Sequence, residues 1–437
     1  MVVRAFFCTF ARQNDSETKI IFEEKMLRKL IAILLFCTLP LSYSAASSYK
    51  KTLKKDIAQA KTFVKSGKNL DRAEQLMQQH LNDSANRRNE RLWLIMFDAQ
   101  RKQYEQGNMK LYLKQKYDTA AFFNIVKRMF TTLETFDSID AEPNAKGESK
   151  PQYRRKHAEI LDKHRVNLFN GGVYFVGKQK FSDAYQFLNL YLDCARQPLF
   201  TAYNYTETDE RMPEAAYWAT YCGYKMQQPD ATLRYADLAL NDTAHHSLTL
   251  QYLADTYKLQ NDTAKYLETL GEGFQKYPVF PYFFPRLVDY HATQGNWNEV
   301  LALADSAIAA DSTRNGFRAV RTTALLNLHQ YDLVVRECDQ LLAADSTMAV
   351  AWHNAGMAYF NQAVTIGKGE RLNSKMKRQM TEKYRHAMRY MERYRQLRPE
   401  RQDRWGLPLY TIYLNLNMGT KFDEIDRLLR SRSNRRN

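Results

Sequence analysis

Apolar positions recur along most of this chain at spacings of three and four, the period of helices that bury one face. Trp352, Ala355, Gly356 and Tyr359 fall on one face of a predicted helix. Ala387, Met391 and Tyr394 do the same on the next, and Pro399 sits where that second helix must stop. Small Ala355 and Gly356 let two helix backbones come close, while Trp352, Tyr359 and Met391 fill the space around them. Gly and Pro are sparse, at 16 and 11, which suits long helices joined by short turns. No strand-rich segment appears, so the expected class is all-α.

The pattern also repeats at long range. Ala310-Asp311-Ser312-Thr313 returns as Ala344-Asp345-Ser346-Thr347, an offset of 34 residues. Thr232, Tyr266, Val300 and Val334, each near the start of a second helix, are separated by 34, 34 and 34. Ala387 follows Val334 after 53 residues, a repeat plus 19, and Ile425 follows Ala387 after 38, a repeat plus four. Ala184 precedes Thr232 by 48, a repeat plus 14. A fixed period of this length marks an array in which each helix pair buries its apolar face only against its neighbours.

Trp352-x2-Ala355-Gly356-x2-Tyr359, followed by Ala387, Met391, Tyr394 and Pro399, resembles the tetratricopeptide (TPR) repeat. The resemblance extends over residues 50–100 and 165–430. It implies a right-handed superhelix of stacked antiparallel helix pairs, about eight or nine of them. Two places depart from the family pattern. Arg318, Arg321 and Thr322 occupy apolar or small positions of one first helix, and Asp98 stands where an aromatic residue is expected.

Three stretches break the period. Residues 105–165 carry aromatic helix-like runs and a Pro/Gly loop, with longer helices expected. Residues 196–213 read as an exposed loop, and 364–383 separate the two helices of the best repeat. The resulting map has an upstream extension at 1–25, a leader at 26–46, N-terminal repeats at 47–165, the array at 166–430 and a basic tail at 431–437. The leader has a secretory layout: Arg28 and Lys29, an apolar run from Leu30 to Leu41, then small Ser44-Ala45-Ala46. Translation is expected to start at Met26, and the product to be exported, periplasmic or envelope-associated. Three cysteines remain after the leader, an odd number with no C-x-x-C, which argues against a disulfide framework or zinc site.

The 64 basic and 48 acidic residues give a net charge of +16. Between Ile366 and Arg404 there are 13 Lys/Arg against five Asp/Glu. A basic region of this kind suits anionic lipid or glycan, with no nucleic acid expected in an exported chain.

The resemblance places first helices on the concave face, which makes Tyr217, Tyr221 and Tyr224 one groove stripe. Gln251, Asp255 and Lys258 follow, then Asp289 and Thr293, then His353, Met357, Phe360 and Asn361. Aromatic rings beside polar groups suit an extended peptide, a helix or a sugar. Gln251 and Asp255 stand where the family's carboxylate clamp has Lys and Asn, which argues against a chaperone-tail adaptor. Asp-Ser/Thr pairs recur at Asp83, Asp118, Asp137, Asp242, Asp262 and Asp305, as helix caps would. They also resemble a short bacterial O-glycan acceptor pattern. His157 and His164, and the adjacent His245 and His246, read as solvated pairs rather than metal ligands. No nucleophile, phosphate-loop or metal motif appears. The expected function is a non-catalytic scaffold without cofactor, binding a protein or peptide in its groove. The alternative is a glycan-binding or envelope-docking module.

Overall fold

The computed structural model describes residues 51–144, 146–368 and 373–433, with side chains described as far as Arg430. The expected leader at 26–46, the stretch upstream of it and the end of the basic tail lie outside these residues. The described chain is helical throughout, and it divides between Glu210 and Arg211 into two compact units.

The first unit opens with α1 through 51–66, α2 (Leu70–Leu81), α3 (Glu90–Tyr112) and α4 (Thr119–Asp140). It continues with α5 (Arg154–Gly177) and α6 (Phe181–Asp193). Two short 3₁₀ turns and α7 (Tyr205–Thr208) complete it. Each long helix packs on the next in sequence. The 105–165 stretch is therefore no insertion outside the pairing: α3, α4 and α5 run 23, 22 and 24 residues and supply it. The division expected at 165/166 falls inside α5. Phe122, Val126, Met129, Phe130, Leu133 and Phe136 give α4 a continuous buried face.

A buried cation ties the 194–209 segment to α5. The Arg165 guanidinium lies 3.8 Å from the centroids of both the Tyr191 and Tyr205 rings. It donates to Asp209 at 2.5 Å, and the Tyr191 hydroxyl donates to the same carboxylate oxygen at 2.6 Å. What reads as an exposed loop at 196–213 thus includes buried Leu199, Phe200 and Tyr205.

The second unit runs α8 (Met212–Lys225), α9 (Pro229–Leu233), α10 (Ala236–Ala239), α11 (His246–Leu259), α12 (Thr263–Lys276) and α13 (Phe283–Thr293). It continues with α14 (Trp297–Ala310), α15 (Asn315–Asn327), α16 (Tyr331–Ala344) and α17 (Ala349–Gly367). α18 (Ser374–Leu397), α19 (Gln402–Asn415) and α20 (Gly419–Ser433) close it. These are TPR-like pairs, with α9 and α10 together forming one second helix. Thr232, Val300, Val334, Ala387 and Ile425, and Ala184 in the first unit, are at most 1 % exposed, and Tyr266 is 9 % exposed. The period read from the sequence is therefore the period of the packing. Within the 364–383 stretch, residues 364–367 belong to α17 and 374–383 to α18, so its described part is mostly helix.

The 34-residue echo has one geometry in both copies. Asp311 accepts from the Thr313 N–H at 3.0 Å and its hydroxyl at 2.6 Å, and Asp345 accepts from Thr347 at 2.8 and 2.6 Å. Each aspartate turns the chain out of a second helix and into the next repeat. Those hydrogen bonds hold both carboxyls below their ordinary pKa. Asp83, Asp118, Asp242 and Asp262 likewise accept from backbone N–H groups at turns or helix starts. Asp137 and Asp305 do not: they lie inside α4 and α14 and pair with Arg154 and Arg321.

The departures from the repeat pattern also have physical reasons. Arg321 reaches from α15 to Asp305 and Glu337 on the flanking second helices. Thr322 is fully buried and, with Thr323, accepts from the Asn354 amide at 3.0 and 2.9 Å, joining α15 to α17. Cys194, Cys222 and Cys338 are buried free thiols. Among the described residues no helix is long and apolar enough to cross a membrane. No group of three His, Cys, Asp or Glu among them could hold a metal ion.

Candidate partner-binding surface

The first helices α8, α11 and α13 assemble a layer of tyrosines. Tyr252, on α11, is its hub: its ring stacks on Tyr224 with centroids 4.6 Å apart and lies 5.5 Å from Tyr221 and 6.2 Å from Tyr217. Tyr252 is only 7 % exposed, so it serves as the floor on which Tyr221 and Tyr224 stand half-buried. Its phenol is pushed up from its ordinary pKa by burial and by the hydrogen bond with Tyr217.

Tyr217 is not part of an open stripe. It is 4 % exposed and stacks face to face on His245, with centroids 4.1 Å apart. His245 in turn bonds to the Asp242 carboxylate at 2.7 Å, so it is a packed residue rather than a solvated one. The i, i+4, i+7 spacing was enough to align the three tyrosines but not to tell which ring faced inward.

Asp255 organises the other edge. It accepts from the Tyr282 hydroxyl at 2.5 Å and from the Tyr224 hydroxyl at 3.2 Å. Burial and the adjacent carboxylate push both phenols up, so they stay protonated and act as donors. Arg286 lies 3.5 Å above the Tyr282 ring centroid and donates to the Tyr282 carbonyl at 3.0 Å. Tyr224, Gln228, Pro229, Thr232, Asp255 and Leu259 line a cavity of about 170 Å³. Gln251 is half-buried, while Lys258, Asp289 and Thr293 are exposed on the same run of first helices. Lys258 Nζ stands 5.8 Å from the Tyr266 ring centroid, and the Thr293 hydroxyl donates to the Asp289 carbonyl.

The residues expected on α17 sit differently. His353 is packed edge-on against Tyr394 at 4.9 Å, and burial lowers its pKa. Met357 and Phe360 pack into the apolar cluster of α17, α18 and α19, with Phe360 6.1 Å from the Tyr384 ring. Asn361 is half-buried, and its carbonyl accepts from Thr365. The aromatic and apolar ones among these four are spent on packing the long α17/α18 hairpin and α19. The packing residues behave as their sizes demand. A Cβ on Gly356 would lie 2.7 Å from Met391 Sδ, so the two helices meet where the side chain is missing. Trp352 donates to the Ser346 carbonyl at 2.9 Å, and Tyr359 stacks on His386 at 4.8 Å.

Two features were not found from sequence. Tyr252 lies one residue off the groove register, and only the excess of tyrosines in α8 and α11 hinted at it. In the first unit a polar cleft of about 530 Å³ is lined by Glu74, Gln75, Gln78, Gln103 and Arg128. Arg128 closes part of it by donating to Glu74 at 2.8 Å. His157, which read as solvated, is 4 % exposed and lies among Phe97, Phe136 and Tyr153. Its pKa is lowered to about 4 by burial. His164 packs on Tyr104 at 4.5 Å.

A scan against family models finds no match for this chain, and a search of curated proteins finds no relative. Solved structures that match include proteins described as TPR repeats. The C-terminal part of a TPR repeat-containing protein from Cytophaga hutchinsonii is 11% identical, over 59% of this chain and 92% of that one, with a TM-score of 0.39. A human IFIT1 dimer with m7Gppp-AAAA is 14% identical, over 72% and 73%, with a TM-score of 0.34. The TPR2AB domain of yeast Sti1 in complex with pHSP90 is 15% identical, over 71% and 96%, with a TM-score of 0.23. The ligands in these structures are facts about those proteins.

Proposed function

We propose that this chain is an exported, non-catalytic scaffold that holds a protein or peptide partner along α8, α11 and α13. The observation that carries the reading is the fixed tyrosine layer. Tyr221 and Tyr224 are half-exposed on the buried Tyr252 ring, and Asp255 fixes the Tyr224 hydroxyl. Rings held this way lose little conformational freedom when a partner covers them, and each offers an apolar body with a polar edge. Lys258, Asp289 and Thr293 supply exposed polar groups beside them. The Tyr224 and Tyr282 phenols are held in the protonated form, and Asp255 is occupied by both of their hydroxyls. That is an arrangement for contact rather than for proton transfer or attack.

Export rests on the pattern at 26–46, and a periplasmic or envelope location follows from it. Mass spectrometry of the chain from its native cells should give a mature product that begins after the small residues near Ala46. A product that retains residues 1–25 would overturn the leader.

The groove itself is tested by crosslinking pull-down of the tagged mature chain from native cells, comparing wild type with Tyr221→Ala/Lys258→Glu. Tyr217 is left intact because removing a buried ring would empty the packing around His245. A discrete protein captured by wild type and lost in the variant supports the groove. No protein partner, or one retained unchanged, overturns it and moves the reading to a glycan on the same rings.

A further inference from the structure

Along α18 the exposed positions Lys375, Arg378, Glu382, Arg385, Arg389 and Arg393 follow one another at steps of three and four, which keeps them on one stripe. From Arg378 to Arg393 the stripe runs about 22 Å, at 1.5 Å of rise per residue. Much of the basic charge nearby is neutralised within the fold. Arg395 pairs with Glu424, Arg398 with Glu400, Arg401 with Asp403, and Lys421 with Glu392. The stripe is different. Arg393 donates to the Gln396 amide oxygen. Among the described residues Lys375, Arg378, Arg385 and Arg389 have no carboxylate within ion-pair distance, and Glu382 is the one acid on the stripe. Like charges at this spacing destabilise a helix, so the arrangement is a cost that an anionic ligand would offset.

We propose that this stripe binds a linear, carboxylate-bearing polysaccharide. The proposal is independent of the α8–α13 groove. Four of the five cations are arginines, whose planar fork matches a carboxylate with two parallel hydrogen bonds. The charges form a line rather than a disc, which fits a chain laid along the helix. His386 and Tyr390 each follow an arginine of the stripe by one residue and lead into a row of half-buried rings. Tyr390 lies 5.7 Å from Tyr359 and 5.4 Å from Trp352, and gives the sugar an apolar edge beside the charges.

A bilayer fits less well, because α18 has no exposed large apolar side chain to insert; Leu407, Leu414 and Leu428 belong to α19 and α20. A single-stranded nucleic acid needs free ring faces on which bases stack. Here one face of Tyr359 is covered by His386, at 19° between planes, and Lys383 Nζ stands 5.2 Å from its centroid.

The test is fluorescence anisotropy of the exported chain with labelled oligogalacturonate at stepped NaCl. Parallel arms use vesicles of phosphatidylglycerol and phosphatidylcholine, and poly(U). Arg378→Gln/Arg385→Gln/Arg389→Gln is compared with Lys51→Gln/Lys54→Gln/Lys61→Gln, which removes equal charge from exposed positions of α1. The first variant should bind the oligogalacturonate roughly 10- to 100-fold more weakly at low salt, a loss consistent with exposed charge contacts, while the second stays within about twofold. Equal loss in both variants would reduce the stripe to net charge and overturn the proposal. So would tighter binding to vesicles or to poly(U) than to the oligogalacturonate.

Discussion

Gly223 and Gly271 are both glycines inside helices, and substituting each by alanine should move stability in opposite directions. A Cβ on Gly223 would lie 2.4 Å from the Thr232 backbone nitrogen and 2.7 Å from Ala231 C and Thr232 Cα. All three atoms are backbone, so no side-chain rotation relieves the clash, and α9 would have to move away from α8. Overpacking of this kind costs about 3 kcal/mol, and the better helix propensity of alanine returns about 1, leaving a net loss near 2 kcal/mol. A Cβ on Gly271 meets nothing within 4 Å, so the same substitution there should gain about 1 kcal/mol. For a unit of this size each kcal/mol shifts Tm by about 2–4 °C. Gly223→Ala should therefore lower the midpoint by about 4–8 °C, and Gly271→Ala should raise it by about 2–4 °C. Tryptophan fluorescence reads this directly, because Trp218, Trp297, Trp352 and Trp405 lie in the 211–433 unit and only Trp93 in the other. Equal midpoint shifts for the two variants would show that α8 and α9 do not approach at Gly223, and would remove the packing argument for this repeat.

Other consequences can be checked independently. Glu134 is half-buried beside Cys194, and its carboxyl is pushed up to about 8, chiefly by desolvation. It ionises more readily in the unfolded chain, so the first unit should lose stability as pH rises from about 4.5 towards 8; Glu134→Gln should abolish that loss in urea titrations across the range. His157, lowered to about 4 by burial, has the opposite sign: the unfolded chain takes up the proton first, so stability falls as pH drops below about 6.5, by at most about 3 kcal/mol. His157→Phe should flatten that acid limb, and an unchanged limb would exclude His157 as its source. Arg165→Ala removes the buried cation from between the Tyr191 and Tyr205 rings and from the Asp209 carboxylate, and should cost about 3–5 kcal/mol. Limited proteolysis should then cut first within 194–209, and a cut elsewhere would refute that role.

The repeat architecture was legible because its signal is redundant. Four of the seven marker positions from Ala184 to Ile425, Thr232 to Val334, are 34 apart, the others add 4 to 19 residues to that step, and all seven are buried, so an error at one repeat is corrected by the next. The long hairpins were less legible. Lengthening α17 and α18 adds helical residues to each, and by spacing alone that addition is indistinguishable from an inserted loop. The same holds for α3 to α5, where aromatic runs indicated helix but the pairing came from contacts distant in sequence.

Site residues were less legible than the fold because a one-dimensional register says which side of a helix a residue occupies, not what covers that side. Tyr217, Tyr221 and Tyr224 share a stripe, yet His245, 28 residues after Tyr217, buries only the first. Asp137 and Asp242 begin the same two-residue pattern, yet Asp242 accepts from backbone N–H groups at a turn while Asp137 lies within α4 and pairs with Arg154. The basic 366–404 region makes the same point for charge. Its composition is plain in the sequence, but only the pairing of Arg395, Arg398 and Arg401 separates neutralised charge from charge left facing outward. In an array whose helices look alike, repeats differ in what each leaves uncovered: half-exposed tyrosines on α8, and a line of arginines on α18.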